Sequence, residues 1–127
     1  MTIPLDSLCS LLGEEKIRAL TAAFYRRVRA DAVLSPLYPA HDWEGAEHRL
    51  ASFLVYRFGG PATYLEERGH PRLRMRHLPF AIGPVERDQW LRLMGEALQE
   101  VEIPEAAAQA MMPFFAQVAE MMRNRAE

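Results

Sequence analysis

Residues 69–80, Gly69-His70-Pro71-Arg72-Leu73-Arg74-Met75-Arg76-His77-Leu78-Pro79-Phe80, hold two of the chain's four histidines, three arginines at alternate positions and two prolines. In a helix successive residues turn by about 100°. Leu73, His77 and Phe80 then share an apolar face, with Arg72 and Arg76 on a neighbouring one. One imidazole set in an apolar surface beside cations suits a flat, apolar, anionic-edged ligand whose metal needs one nitrogen. A core histidine on a short amphipathic helix produces the same pattern, and this stretch alone does not choose between them.

Other chemistries fit less well. His41 and His48 stand seven residues apart, about 10 Å along a helix, which is too far for one ion. His70 and His77 repeat that spacing with Pro71 between them. Cys9 is the only cysteine, so neither an intrachain disulfide nor a thiolate zinc site can form. Hydrolytic triads, Walker loops and glycine-rich dinucleotide loops are absent. What stays open is a site in which the protein gives one ligand and a cofactor gives the rest, of which haem is the common example. Such a site needs a second apolar wall, and Ala46, Leu50, Phe53 and Leu54 can supply one. It also needs hydrogen-bond donors on the far side. Tyr25, Tyr38 and Trp90 offer O–H or N–H groups from apolar surroundings, although each alone also reads as a core aromatic.

The elements that must position these residues are helical. Residues 4–12 predict a short first helix, interrupted by Gly13. From Glu14 to Ala30 the stripe Ile17, Leu20, Phe24 and Val28 has helical spacing. Asp31 to Pro39 is a break holding one short turn. Asp42 reads as an N-cap for a helix running to about Phe58, and Gly59-Gly60-Pro61 ends it. Residues 61–71 predict a loop with a turn near Tyr64 to Arg68. Pro84 is placed to open a helix that carries Trp90, Met94, Ala97 and Val101 on one stripe. Pro104 opens the last helix, with Met111, Phe115, Val118 and Met122 buried and Pro113 expected to bend it or disturb one hydrogen bond. No stretch alternates as a strand does, and no heptads persist. The expected class is all-α, a compact helical sandwich.

At 127 residues the expectation is one domain spanning 1–127. Half the residues are hydrophobic and the formal net charge is −2, so there is no electrostatic case for nucleic acid or an acidic membrane surface. No apolar run approaches the ~20 residues of a membrane span, and the first residues lack the pattern of a signal peptide. A cytoplasmic location is the expectation.

Read in order, Phe24-Tyr25, Val33-Leu34 with Leu37-Tyr38-Pro39, Gly45-Ala46-Glu47, Gly59-Gly60-Pro61 with Tyr64, the run from Arg68 to His77, Pro79-Phe80, and Glu86-Arg87-Asp88 with Trp90-Leu91 carry a family likeness. Over residues 14–120 the chain resembles the truncated haemoglobins, and within them the second group. The resemblance implies a globin-like fold, shortened to a two-over-two helical sandwich, and haem b (iron protoporphyrin IX) as cofactor. It implies that His77 ligates the iron and that Tyr25, Tyr38 and Trp90 form a distal pocket for O2 or another diatomic gas. Ala46 stands where ordinary globins carry a distal histidine. Leu50, Phe53, Leu73, Phe80 and Met94 become cofactor contacts, and Arg49 and Arg76 partners of the propionates. The family's glycine pair between its first two helices is here Gly13-Glu14, a departure that bears on the first turn and not on the haem pocket.

The reading implied is a five-coordinate haem protein that binds oxygen. A haem-dependent redox enzyme, peroxidase-like or an NO dioxygenase supplied by a separate reductase, is the alternative, and a haem-free helical interaction module is a third. Whether the protein forms a homodimer is left open by the sequence.

Overall fold

Four apolar stripes become four long helices. The computed structural model describes residues 3–77 and 80–126, with Leu73 and Arg74 described by their backbone alone. A 3-10 turn at Leu5–Ser7 leads into α1 (Leu8–Leu12) and α2 (Glu14–Arg29). A second 3-10 turn at Ser35–Leu37 precedes α3 (Trp43–Arg57) and α4 (Thr63–Arg68). The short α5 (Leu73–His77), then α6 (Pro84–Glu100) and α7 (Glu105–Met122), complete the order. There is no strand among the described residues. The fold is all-α, a globin-like two-over-two sandwich: α2 packs on α3 and on α6, and α6 packs on α7. No helix among the described residues is long and apolar enough to cross a membrane.

The core follows from the stripes. Ile17, Leu20, Phe24 and Val28 of α2 are fully buried, as are Phe58, Met94 and Met111. At ~25 cal/mol per Å2 of apolar surface, such side chains are worth about 1.5–3 kcal/mol each. Packing of this stripe, more than helix propensity, holds α2 in place.

Four details depart from or complete the sequence expectation. The expected helix over residues 4–12 divides into the 3-10 turn and the single turn of α1. Gly13, at φ +87°, makes the turn into α2 by itself. Glu14 is free to serve as the first residue of α2, where a carboxylate suits the positive end of the helix, and it accepts from Arg18 Nε at 3.0 Å. Asp42 stands at the N-cap of α3 but its side chain caps nothing; the Arg49 guanidinium, donating at 3.1 Å, has taken the carboxylate instead. α7 remains helical through Pro113, so the helix absorbs the missing N–H without ending.

Glycine matters most where the end of α3 crosses residues 6–9. Gly59 has φ +94°, and a Cβ built there would lie 1.9 Å from the Asp6 carbonyl oxygen. The same crossing is tied by the Cys9 amide donating to the Phe58 carbonyl at 2.8 Å. Gly95, within α6, has nothing within 4 Å of an added Cβ. Thermal denaturation should therefore separate the two. We expect Gly59→Ala to cost about 2 kcal/mol or more, through strain and a backbone clash. Gly95→Ala should gain about 0.5–1 kcal/mol, from helix propensity alone.

Candidate functional site

α3 and α7 leave their apolar faces towards a common space, and the fold closes it into a cavity of about 380 Å3, within the ~300–1,000 Å3 span of ligand pockets. α3 contributes Ala46, Leu50 and Phe53 at i, i+4 and i+7; α7 contributes Phe115, Val118, Ala119 and Met122. α2 supplies Tyr25, the turn after Leu37 supplies Tyr38, and α6 supplies Trp90. His77, the last residue of α5, is half-buried and lines the same cavity with Phe80 and Ile82.

Tyr25, Tyr38, Ala46, Arg49, Leu50, Phe53, Arg76, His77, Phe80 and Trp90, all expected at a site from sequence, therefore meet at one cavity. Met94 does not join them. It shares a face of α6 with Trp90, but the Trp90 and Phe115 rings, 5.8 Å apart and edge to face, form the wall there, and Met94 lies fully buried in the core. The Leu73 side chain lies outside the described residues.

The polar aromatics form a set. The Tyr25 and Tyr38 rings meet edge to face at 5.6 Å. Burial, then the neighbouring Tyr38 phenol, push the Tyr25 hydroxyl well above the ordinary tyrosine value. Burial also raises Tyr38, but hydrogen bonds from Tyr25 and Trp90 work against that rise. An indole N–H can only donate, so Trp90 lines the cavity as a donor. Both phenols stay neutral donors at ordinary pH.

Outside the cavity, Asp31 fixes the turn that carries Tyr38. Its carboxylate accepts from the Val33 and Leu34 amides at 3.1 and 2.9 Å and from the Gln89 side chain. Burial opposes ionisation of Asp31, but the hydrogen bonds from Leu34, Gln89 and Val33 outweigh it and hold the carboxyl below its usual value. Gln89 precedes Trp90, so one carboxylate ties the Tyr38 turn to the helix that presents the indole.

The two predicted arginines already have partners. Arg49 is paired with Asp42. Arg76 Nη2 donates to the carbonyls of Arg68 at 2.8 Å and His70 at 3.5 Å, which closes the end of α4. Arg68 and Arg87 also line the cavity, and the sequence did not single them out. Trp43 was missed too. Its ring stacks on Tyr38 at 5.3 Å and meets Tyr25 at 6.4 Å, with the Arg29 guanidinium 5.5 Å from its centroid. Trp43 opens α3 three residues before Ala46, so it extends the stripe of Ala46, Leu50, Phe53 and Leu54, and that spacing could have found it. An imidazole, apolar walls, a donor set and half-exposed arginines together match a flat group with a central metal and carboxylate edges.

Comparison with known proteins bears on the same point. Residues 9–124 match the bacterial-like globin family. A group 2 truncated hemoglobin of Bacillus subtilis is 42% identical over 90 residues, 71% of this chain and 67% of that protein. The crystal structure of the hemoglobin of the thermophilic phototroph Chloroflexus aurantiacus superposes with a TM-score of 0.89 at 47% identity, covering 97% of this chain and 100% of that one. A truncated oxygen-avid haemoglobin from Bacillus subtilis superposes with a TM-score of 0.87 at 34% identity, covering 91% and 98%.

The raised phenols predict an alkaline limit to stability. Above the unfolded tyrosine value of about 10, the unfolded chain releases a proton that native Tyr25 keeps. Stability should then fall as pH climbs from there. Denaturant midpoints measured across that range should drop less steeply in Tyr25→Phe than in the wild type.

Proposed function

Because the chain belongs to the bacterial-like globin family and, within it, to the truncated haemoglobins of the second group, we propose that its cavity holds haem b on His77 and binds O2 beside Tyr25, Tyr38 and Trp90. Haem-based binding of diatomic ligands follows from the family. The observation that carries the finer reading is one cavity lined by an imidazole and by three aromatic donors, two of them in ring contact. One structural relative is oxygen-avid, and the donor set gives a physical reason to expect that property here.

When bound, haem would supply an iron able to take up a diatomic gas. The chain's own residues do the rest. His77 provides the imidazole nitrogen. Leu50, Phe53 and Phe80 present apolar surface to a flat ring. Ala46 is buried at 5% exposure, and its small side chain leaves the α3 wall open beside the donors. Arg49 and Arg76 are the cations assigned to the carboxylate edges, sharing them with Asp42 and the Arg68 carbonyl. Tyr25 and Tyr38 each carry an O–H, and Trp90 an N–H, that can be offered to a ligand. In a dry cavity such a donor stabilises partial negative charge more than it could in water.

Two measurements test this. Supplemented with haem, the purified protein should show a Soret band. His77→Gly should lose it, and added imidazole should restore it; no band in the wild type sinks the reading. Trp90→Leu and Tyr38→Phe should each speed O2 release by about tenfold or more, the effect of losing a hydrogen bond to a charged partner. Since both line the same cavity and face one ligand, the double variant should fall short of the product of the two. Unchanged off-rates in both single variants would remove the donor set from the account.

A further inference from the structure

α5 cannot place His77 by itself. It has five residues, too few for a helix to persist on its own hydrogen bonds. It is entered through Arg72 at φ +44°, a left-handed conformation that a long side chain keeps only when its surroundings impose it. His77 is the final residue, where the helical ladder gives least support. What grips the backbone beyond it therefore bears on the direction of the imidazole.

The chain that follows α7 provides that grip. Asn124 is half-buried and uses all of its amide. Its Nδ2 donates to the Phe80 carbonyl at 2.7 Å and to the His77 carbonyl at 3.3 Å, and its Oδ1 accepts from the Ile82 amide at 2.9 Å. Its main chain adds a further tie, because the Asn124 amide donates to the Ile82 carbonyl at 2.8 Å and the Arg125 amide to the same oxygen at 3.1 Å. The His77 carbonyl accepts a second bond, from the Phe80 amide at 3.0 Å. On the other side, Glu86 accepts from the Gly83 amide at 2.7 Å, which fastens residue 83 to α6. The backbone running from His77 to α6 is thus clamped at both ends, and a single side chain bridges it to the end of α7.

We propose that Asn124 is the positioning residue for the His77 imidazole: its side-chain amide fixes the His77 and Phe80 carbonyls and so sets the tilt of the ring towards the iron. The proposal rests on the assignment of His77 as the iron ligand. Its chemistry is specific to a carboxamide. Two carbonyls and one N–H converge on this side chain, and only a group with two donors and an acceptor in one plane meets all three. Aspartate has the same shape, but it would turn lone pairs on the two carbonyls. The role parallels that of outer groups around metal sites generally, which hold a ligand's pose without touching the metal.

The test uses the haem-loaded ferrous protein. The iron–imidazole stretching band in the resonance Raman spectrum reads the pose of His77 directly, and amide exchange at Ile82 reads the clamp. Asn124→Ala and Asn124→Asp should both shift or split the band, quicken exchange at Ile82 and speed haem loss by about tenfold. Asn124→Ser, which keeps one hydroxyl for the same partners, serves if either fails to fold, and the same shift is expected of it. Arg27→Ala is the control. It breaks ion pairs to Glu100 at 2.5 Å and Glu96 at 3.5 Å, between α2 and α6; it should lower Tm and leave the band in place. A band that stays put in the Asn124 variants while Ile82 exchange quickens overturns the proposal. So does unchanged exchange at Ile82, or a control whose band moves as far as theirs. A wild-type protein that lacks the band overturns both this proposal and the haem assignment beneath it, which separates the two failures.

Discussion

The O–H and N–H groups of three polar aromatics must be brought to one apolar cavity, where a donor left without a partner costs about 1–3 kcal/mol. Tyr25, Tyr38 and Trp90 meet that demand by lining the cavity together. They come from α2, from the turn after Ser35–Leu37 and from α6, so meeting it fixes three segments relative to one another. Other contacts serve the same geometry. Asp31 and Gln89 join the Tyr38 turn to α6, Trp43 stacks on Tyr38 from α3, and Arg26 and Arg27 reach from α2 to Glu100 on α6. The exposed ion pairs add little energy singly. Their consequence is angular, since α2 and α6 together carry two of the three donors.

The two sides of the cavity are built differently. The donor side stands on long helices whose buried stripes leave little freedom: Phe24 contacts both the Tyr25 and the Trp90 ring. The imidazole side stands on a five-residue helix and a segment of chain stapled from α7. Long helices hold position through packing, whereas a short one borrows its position from hydrogen bonds made elsewhere. The donors thus stand on packed helices, whereas the backbone at His77 is held by one side chain from beyond α7.

Much of this was legible in the residues. The stripes of α2, α3, α6 and α7 are periodic because each helix buries one face, and periodicity survives in sequence. Gly59 and Pro84 announce boundaries because a positive φ or a fixed φ admits few residue types. Met94 shows where such reading stops. It shares the stripe of Trp90, and spacing along one helix says which residues share a face but not how far a cavity extends along it. Asp42 and Arg49 show the same limit for charge. Each has a plausible local role, as cap and as free cation, and each is diverted by the other once α3 brings them together. The second glycine that the family carries after Gly13 is dispensable here, since one residue at φ +87° completes the turn.

The class of the fold and the family are readable in the residues alone, as are the types that come to line the cavity: a histidine, three donors and a wall of α3. These follow from local rules, helical period and backbone preference, acting over a few residues at a time. Which groups come together is set by the folded chain. The meeting of Tyr25, Tyr38 and Trp90 at one cavity spans residues 25 to 90, and the bonds of Asn124 to His77 and Phe80 span more than forty positions. Hydrogen-bond partners are chosen by where segments come to rest, and no local pattern records that. Asn124 is an ordinary residue after the last helix until the chain folds and sets its amide against the backbone of His77.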